Sequence, residues 1–130
     1  MRRMLALVVD DDPVVRALAT RVLRRAGMGC LGFASADDAV GALAELRGEV
    51  SVLVTDVQMP GSMDGLGLAA HAGEAHPGLP VVVMSGSPGG LERAAAMASV
   101  VSTLAKPLPP AELARLALEA ARGWRSWQVP

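Results

Sequence analysis

The chain has 130 residues, 52% of them hydrophobic, and a formal net charge of −1. That length makes one domain, able to bury roughly two-thirds of its unfolded surface. The near-zero charge gives no electrostatic reason to expect nucleic acid or an anionic membrane as partner, and the lone Cys30 excludes an internal disulfide and points to a reducing, cytoplasmic setting.

Phe33, Trp124 and Trp127 are the only aromatic residues, so the core must be aliphatic. In chain order, Leu5-Ala6-Leu7-Val8-Val9 is a short apolar run of the kind that forms a buried parallel strand. Asp10 ends it too early for a signal-peptide core or a membrane span. Asp12-Pro13 then supplies an N-cap and a proline at the first helical position. A helix follows, running through Val14, Leu18, Val22 and Leu23 at helical spacing and stopped by Gly27. A second strand is expected over Cys30 to Phe33. Ser35 with Asp38 forms a capping-box pattern that opens a helix burying Ala39, Leu43 and Leu46.

The third strand is expected over Val50 to Thr55 and ends in Asp56, with a loop from Met59 to Gly65. A third helix runs from about Leu66 to His76, stopped by Pro77-Gly78, and Val81 to Met84 is the fourth strand. Ser85 to Gly90 has the composition of a mobile loop, and Leu91 to Ala98 that of a short fourth helix. Val100 to Ala105 is the fifth strand, followed by Lys106-Pro107. Pro110 to Arg122, with Leu113, Leu116 and Leu118 apolar, is the last helix. Strands alternating with helices imply a parallel sheet with helices on both faces. The expected division is a domain over 1–122 and a short tail over 123–130.

Four strand ends carry polar groups: Asp10 and Asp11, Asp56, Ser85, and Lys106. In an open α/β sheet the carboxyl ends of the strands face a common crevice. Two like charges ~5 Å apart repel by roughly 3 kcal/mol at an effective dielectric near 20. A cluster of carboxylates therefore calls for a cation, most simply Mg²⁺, which prefers oxygen ligands and takes one or two carboxylates while keeping several waters. Asp11 and Asp56 suit direct binding, with Asp10 acting through water. Lys106 offers a cation and Ser85 a hydroxyl. Together they describe a site where a phosphoryl group is delivered to a carboxylate.

The chain resembles the receiver domain of two-component response regulators from about Met4 to Arg122. The resemblance rests on Val9-Asp10-Asp11-Asp12-Pro13, Thr55-Asp56-Val57-Gln58-Met59-Pro60-Gly61, Met63-Asp64-Gly65, Met84-Ser85-Gly86 and Ala105-Lys106-Pro107. It implies a flavodoxin-like (βα)5 fold, a doubly wound parallel five-stranded sheet of strand order 2-1-3-4-5. It implies that Asp56 accepts phosphate from the phosphohistidine of a sensor histidine kinase or phosphotransfer protein. Mg²⁺ would be held by Asp10, Asp11, Asp56 and the main-chain carbonyl of Gln58. Ser85 and Lys106 would read the phosphoryl oxygens, and the Lys106-Pro107 bond would be cis. The output would be a contact with a downstream protein, and the domain would assist only its own phosphorylation and dephosphorylation.

The sequence departs from that pattern in three places. Thr103 stands three residues before Lys106, where relatives carry an aromatic side chain that moves inward on activation, so a smaller rearrangement is expected near Ser87 to Gly90. The Gly61-Ser62-Met63 stretch is one residue longer than in many relatives. The chain ends about eight residues after the last helix, the pattern of a stand-alone receiver.

Alternatives follow from the same residues. A receiver fold used only as a phosphorylation-independent scaffold is one. A haloacid-dehalogenase-like phosphatase with Asp10 as nucleophile and Asp12 as acid/base is another, but it leaves Asp56 to Pro60 unexplained. His71 and His76 read as exposed residues near a helix C-terminus. Gly86 to Gly90 lacks the lysine of a phosphate-binding loop. Arg16, Arg21, Arg24 and Arg25 form either a solvated face or, as in relatives, a kinase-docking face. Trp124 and Trp127 are expected to pack back on the body.

Overall fold

The computed structural model describes the backbone of residues 3–128 and the side chains of residues 3–123. Ten elements alternate: β1 Leu5–Val9, α1 Pro13–Arg25, β2 Gly29–Phe33, α2 Ala36–Glu45, β3 Val52–Asp56, α3 Gly65–Ala75, β4 Val81–Ser85, α4 Pro88–Ala95, β5 Val100–Ala105 and α5 Pro110–Gln128. The strands form one parallel sheet in the order β2-β1-β3-β4-β5. β1, β3 and β4 are buried on both faces, which is why their sequences are continuous apolar runs rather than alternating ones.

Alternate residues of the central strands feed two cores. Ala6, Val8, Val52, Val54, Val82 and Met84 pack with α1 and α5, through Ala19, Leu23, Leu113 and Ala117. Leu7, Val9, Leu53, Val81 and Val83 pack with α2, α3 and α4, through Ala39, Leu43, Leu68 and Ala94. Small helix residues at these contacts let the helices lie close to the sheet. The sheet's carboxyl edge is thereby held rigidly, with the β1 and β3 ends side by side at its centre, where the strand order reverses direction.

The helix starts follow the capping chemistry. The Asp12 side chain accepts from the Val14 and Val15 amides, Ser35 from Asp38, Asp64 from Gly67, and Ser87 from Gly90. Gly27 and Gly78, just past helix ends, take positive φ angles of 95° and 88°.

Several expectations need correction. On α1, Val14 is 75% exposed and Leu18 39%; the inward stripe is Val15, Ala19, Val22 and Leu23. α4 begins at Pro88 rather than Leu91, because Ser87 caps it and Pro88 takes its first turn; Gly89 and Gly90 are helical, not loop. α5 continues beyond Arg122 to Gln128, so the expected tail prolongs the helix. Its inward positions are Leu113, Ala117 and Ala121, with Leu116 and Leu118 only partly buried. The side chains of Trp124 and Trp127 lie outside the described residues. Among the described residues no helix is long and apolar enough to cross a membrane.

Candidate functional site

The carboxyl ends of β1, β3, β4 and β5 converge on one crevice. Asp10, just past β1, is wholly buried. Its Oδ2 accepts from Lys106 Nζ at 2.7 Å and its Oδ1 from the Asp12 amide at 2.9 Å. Asp56 ends β3 with 10% of its side chain exposed, and its Oδ1 lies 3.3 Å from the same Lys106 Nζ. That oxygen also accepts from the Val57 amide at 2.9 Å. Asp56 Oδ2 makes no hydrogen bond or ion pair with the described residues, so it is the oxygen left free for chemistry. Asp11 is exposed, and its carboxylate is likewise without a protein partner among the described residues.

Carboxylate oxygens of Asp10, Asp11 and Asp56 all lie within 4.8 Å of one another. Three carboxylates against one lysine leave an excess of negative charge at a pocket open on the Asp11 side. Such a set, oxygen donors only and one flank accessible to water, fits a hard divalent cation that retains part of its hydration. Gln58, exposed, lines a depression of about 500 Å³ together with Asp11, Met59, Pro60 and Asp64, directly beside the acids.

The electrostatics follow from that crowding. Burial, and then the negative charge of Asp10, push the Asp56 carboxyl above its ordinary pKa; Lys106 and the Val57 amide pull it part of the way back. For Lys106, burial favours loss of the proton, but the hydrogen bond and charge of Asp10, followed by those of Asp56, outweigh it and raise its pKa. The lysine is thus held as an ammonium between two carboxylates. Its peptide bond to Pro107 is cis, as the resemblance implied, and its own amide donates to the Ser85 carbonyl at 3.0 Å.

Ser85, at the end of β4, is buried, and its Oγ accepts from the Ser87 amide at 3.0 Å. Its hydroxyl proton remains available for donation. Gly65 is required by the site's floor. A Cβ there would overlap the Asp56 carbonyl, and the Gly65 amide donates to the Val57 carbonyl at 2.8 Å. The longer loop of the lip is anchored where Ser62 Oγ donates to Asp37 Oδ1 at 2.8 Å.

The expected site residues Asp10, Asp11, Asp56, Ser85 and Lys106 are therefore brought together, with Gln58 at the rim. Both oxygens of Asp10 are occupied, one of them by the lysine, which suits it poorly to the phosphatase nucleophile considered above. His71 and His76 are half-buried rather than exposed, with ring centroids 6.0 Å apart in an edge-on contact. Of the four arginines on α1, Arg24 donates to the Cys30 carbonyl at 2.7 Å and Arg16 to the Asp10 carbonyl at 2.8 Å, so the helix face is only partly a free solvated surface. The Arg16 contact is only faintly marked in the sequence. Its signal is a cation in the first turns of a helix without first-turn acids, where the dipole disfavours positive charge unless a carbonyl or anion receives it.

Comparison with known proteins agrees with this geometry. Residues 6–117 match the family model of the response regulator receiver domain. The chain is 40% identical over 85 residues to the DNA-binding transcriptional regulator NtrC of Klebsiella pneumoniae, an alignment covering 65% of this chain and 18% of that protein. The chain thus spans less than a fifth of the length of that curated relative. Among solved structures, the apo receiver domain of nitrogen regulatory protein C is 32% identical with a TM-score of 0.82, covering 96% of this chain and 99% of that one. The receiver domain of the hybrid histidine kinase CckA is 29% identical with a TM-score of 0.76, covering 90% and 98%. A receiver domain protein from Clostridium thermocellum, 20% identical, shares the fold with a TM-score of 0.87 over 96% and 99%.

Proposed function

The chain belongs to the response regulator receiver domain family of two-component systems, whose members are phosphorylated on an aspartate and bind Mg²⁺ at an acidic pocket, and from that premise we propose that Asp56 is the phosphoacceptor. The observation that carries this is the position of Asp56: one oxygen tied to Lys106 and the Val57 amide, the other without a partner among the described residues, and two further carboxylates within 4.8 Å. The donor is the phosphohistidine of a sensor histidine kinase or phosphotransfer protein. Asp56 Oδ2 attacks phosphorus, the phosphorus–nitrogen bond breaks, and the imidazole departs with the bonding pair, its nitrogen taking up a proton from solvent.

Asp10, Asp11, Asp56 and the Gln58 carbonyl would hold Mg²⁺, which when bound neutralises the charge of the transferred phosphoryl oxygens. Lys106 Nζ, already 3.3 Å from Asp56 Oδ1, orients the acceptor and supplies a second positive charge to the product. The Ser85 hydroxyl donates to a phosphoryl oxygen. The same groups let the domain assist hydrolysis of its own acyl phosphate; no other reaction is assigned to it. The product signals through contact with a downstream protein. The free thiol of Cys30 supports a cytoplasmic location.

Incubation with Mg²⁺ and acetyl phosphate tests this. One phosphate per chain is expected, mapping to the Asp56 peptide and absent from Asp56→Asn. Phosphate that survives that substitution, or none in the parent, would overturn the assignment.

A further inference from the structure

We infer that Arg16 is a positioning residue for the metal-facing carboxylate of Asp11, acting through the Asp10–Asp11 peptide; this rests on the Mg²⁺ site proposed above. Asp11 is the acid in the cluster whose carboxylate has no hydrogen bond or ion pair with the described residues. Its direction is therefore set by the backbone beneath it rather than by a side-chain partner. The peptide plane entering Asp11 contains the Asp10 carbonyl, and that carbonyl accepts from Arg16 Nη1 at 2.8 Å. A charge-assisted bond of this length is stronger than a neutral one and restrains the orientation of the peptide unit that accepts it. The turn's other restraints, Asp10 amide to Phe33 carbonyl at 3.1 Å and Asp12 amide to Asp10 Oδ1 at 2.9 Å, lie on either side of that unit and leave its carbonyl to Arg16.

A second element is shaped to the same end. β2 carries Gly32 where the Arg16 stem passes, and a Cβ there would lie 3.2 Å from Arg16 Cγ and 3.3 Å from Cδ. Gly32 does not take a positive φ, so its backbone does not require glycine. The absent side chain leaves room for the stem by which an α1 arginine reaches the β1–α1 turn, which a Cβ would crowd. The route from sequence to site thus runs through two residues, neither of which hydrogen-bonds a carboxylate oxygen of the acid cluster. Outer partners that orient metal ligands influence affinity strongly while leaving the ligands themselves in place.

Two substitutions on different elements should converge. Arg16→Met removes the donor; Gly32→Val keeps the arginine and its charge but crowds its stem and displaces the guanidinium. Mg²⁺ titration of the full chain, followed by backbone amide shifts at Asp11 and Gln58, should show half-saturation raised roughly tenfold in both. Arg16→Lys, retaining a single shorter donor, should fall between them and the parent. With acetyl phosphate, the variants should need more Mg²⁺ for half-maximal phosphorylation yet reach a rate within about twofold of the parent at saturation, the split expected when only binding is lost. If Arg16 serves stability alone, unfolding midpoints fall while Mg²⁺ half-saturation stays at the parental value, and the inference is overturned. Tighter Mg²⁺ binding in Arg16→Met, the result of simply deleting a repelling charge, would overturn it too. Should Arg16→Met not fold, Gly32→Val and Arg16→Lys carry the test alone, and parental affinity in both refutes it. A parent that shows no Mg²⁺-dependent shifts refutes the metal site itself, a different failure from variants that bind as the parent does.

Discussion

The two halves of the sheet's carboxyl edge are held by different physics. Around β1 and β3, charge dominates: a fully buried Asp10 and a nearly buried Asp56 share one lysine, and the turn between β1 and α1 is tied by bonds to Phe33, Asp12 and Arg16. Around β4 and β5, the wiring is thin. Ser85 holds one amide, Ser87 caps α4 through a 3.3 Å bond, and Thr103 stands half-buried where the family resemblance implies a ring. The half that carries the acid cluster is therefore held by charge, while the half around Ser85 and the start of α4 rests on a few neutral hydrogen bonds.

That asymmetry predicts unequal costs. Lys106→Met strips the cation from a buried carboxylate and should lower stability in Mg²⁺-free buffer by about 3 kcal/mol, the scale for orphaning one member of a buried pair. Ser85→Ala, across the crevice, loses one neutral bond and should cost about 1 kcal/mol. Urea unfolding of both variants measures the ratio. Equal losses would mean that the acid side is not electrostatically distinct.

The β4–β5 side can be probed directly. Phosphorylation shifts an existing equilibrium only by its differential stabilisation of the two states. With Thr103 lacking the bulk to fill a vacated space, amide exchange over the first turn of α4 should change by less than about tenfold on phosphorylation. Changes should concentrate at Ser87 and Gly90, whose amides bond the Ser85 and Ser87 hydroxyls. A larger change spread along all of α4 would show that the missing ring is dispensable for long-range coupling.

What could be foreseen from sequence divides along the same line. The acid side was legible because its grammar is local: an apolar run followed at once by Asp, twice, places carboxylates on adjacent strand ends once the sheet is parallel. β5, Val100–Ala105, was also foreseen with its observed limits, bounded by Lys106-Pro107 on one side. The α4 start was misplaced because Gly89-Gly90 weigh against a helix by propensity, whereas Ser87 and Pro88 favour a start there, and capping chemistry prevailed. The α1 stripe was misassigned because Val14 and Leu18 also fit helical spacing; only the position of the sheet decides which apolar stripe is inward. Arg16 escaped because its partner is a main-chain carbonyl, and a carbonyl has no residue identity to read.

The smallest effect lies far from the crevice, at the C-terminal end of α3. His76 is half-buried there, edge-on to His71, in a depression of about 260 Å³ that it lines with Leu43, Leu46, Arg47 and Leu79. Burial first, then the nearby His71 and Arg47, lower its pKa from the ordinary 6.5. The folded chain therefore takes up this proton less readily than the unfolded chain does. Above the unfolded value both states are neutral and His76 contributes no pH dependence. As pH falls through that value the unfolded state protonates first and stability declines, levelling off once pH is below the folded pKa. Because the imidazole is only partly shielded from water, the slope is shallow. His76→Gln should flatten the decline in urea midpoint between about pH 8 and pH 5.5 without altering the midpoint at the upper end. His71→Gln should flatten it in part, by removing a like charge while leaving the burial. If the parent and His76→Gln decline in parallel, the imidazole titrates alike in both states and the burial argument for this corner of the fold fails.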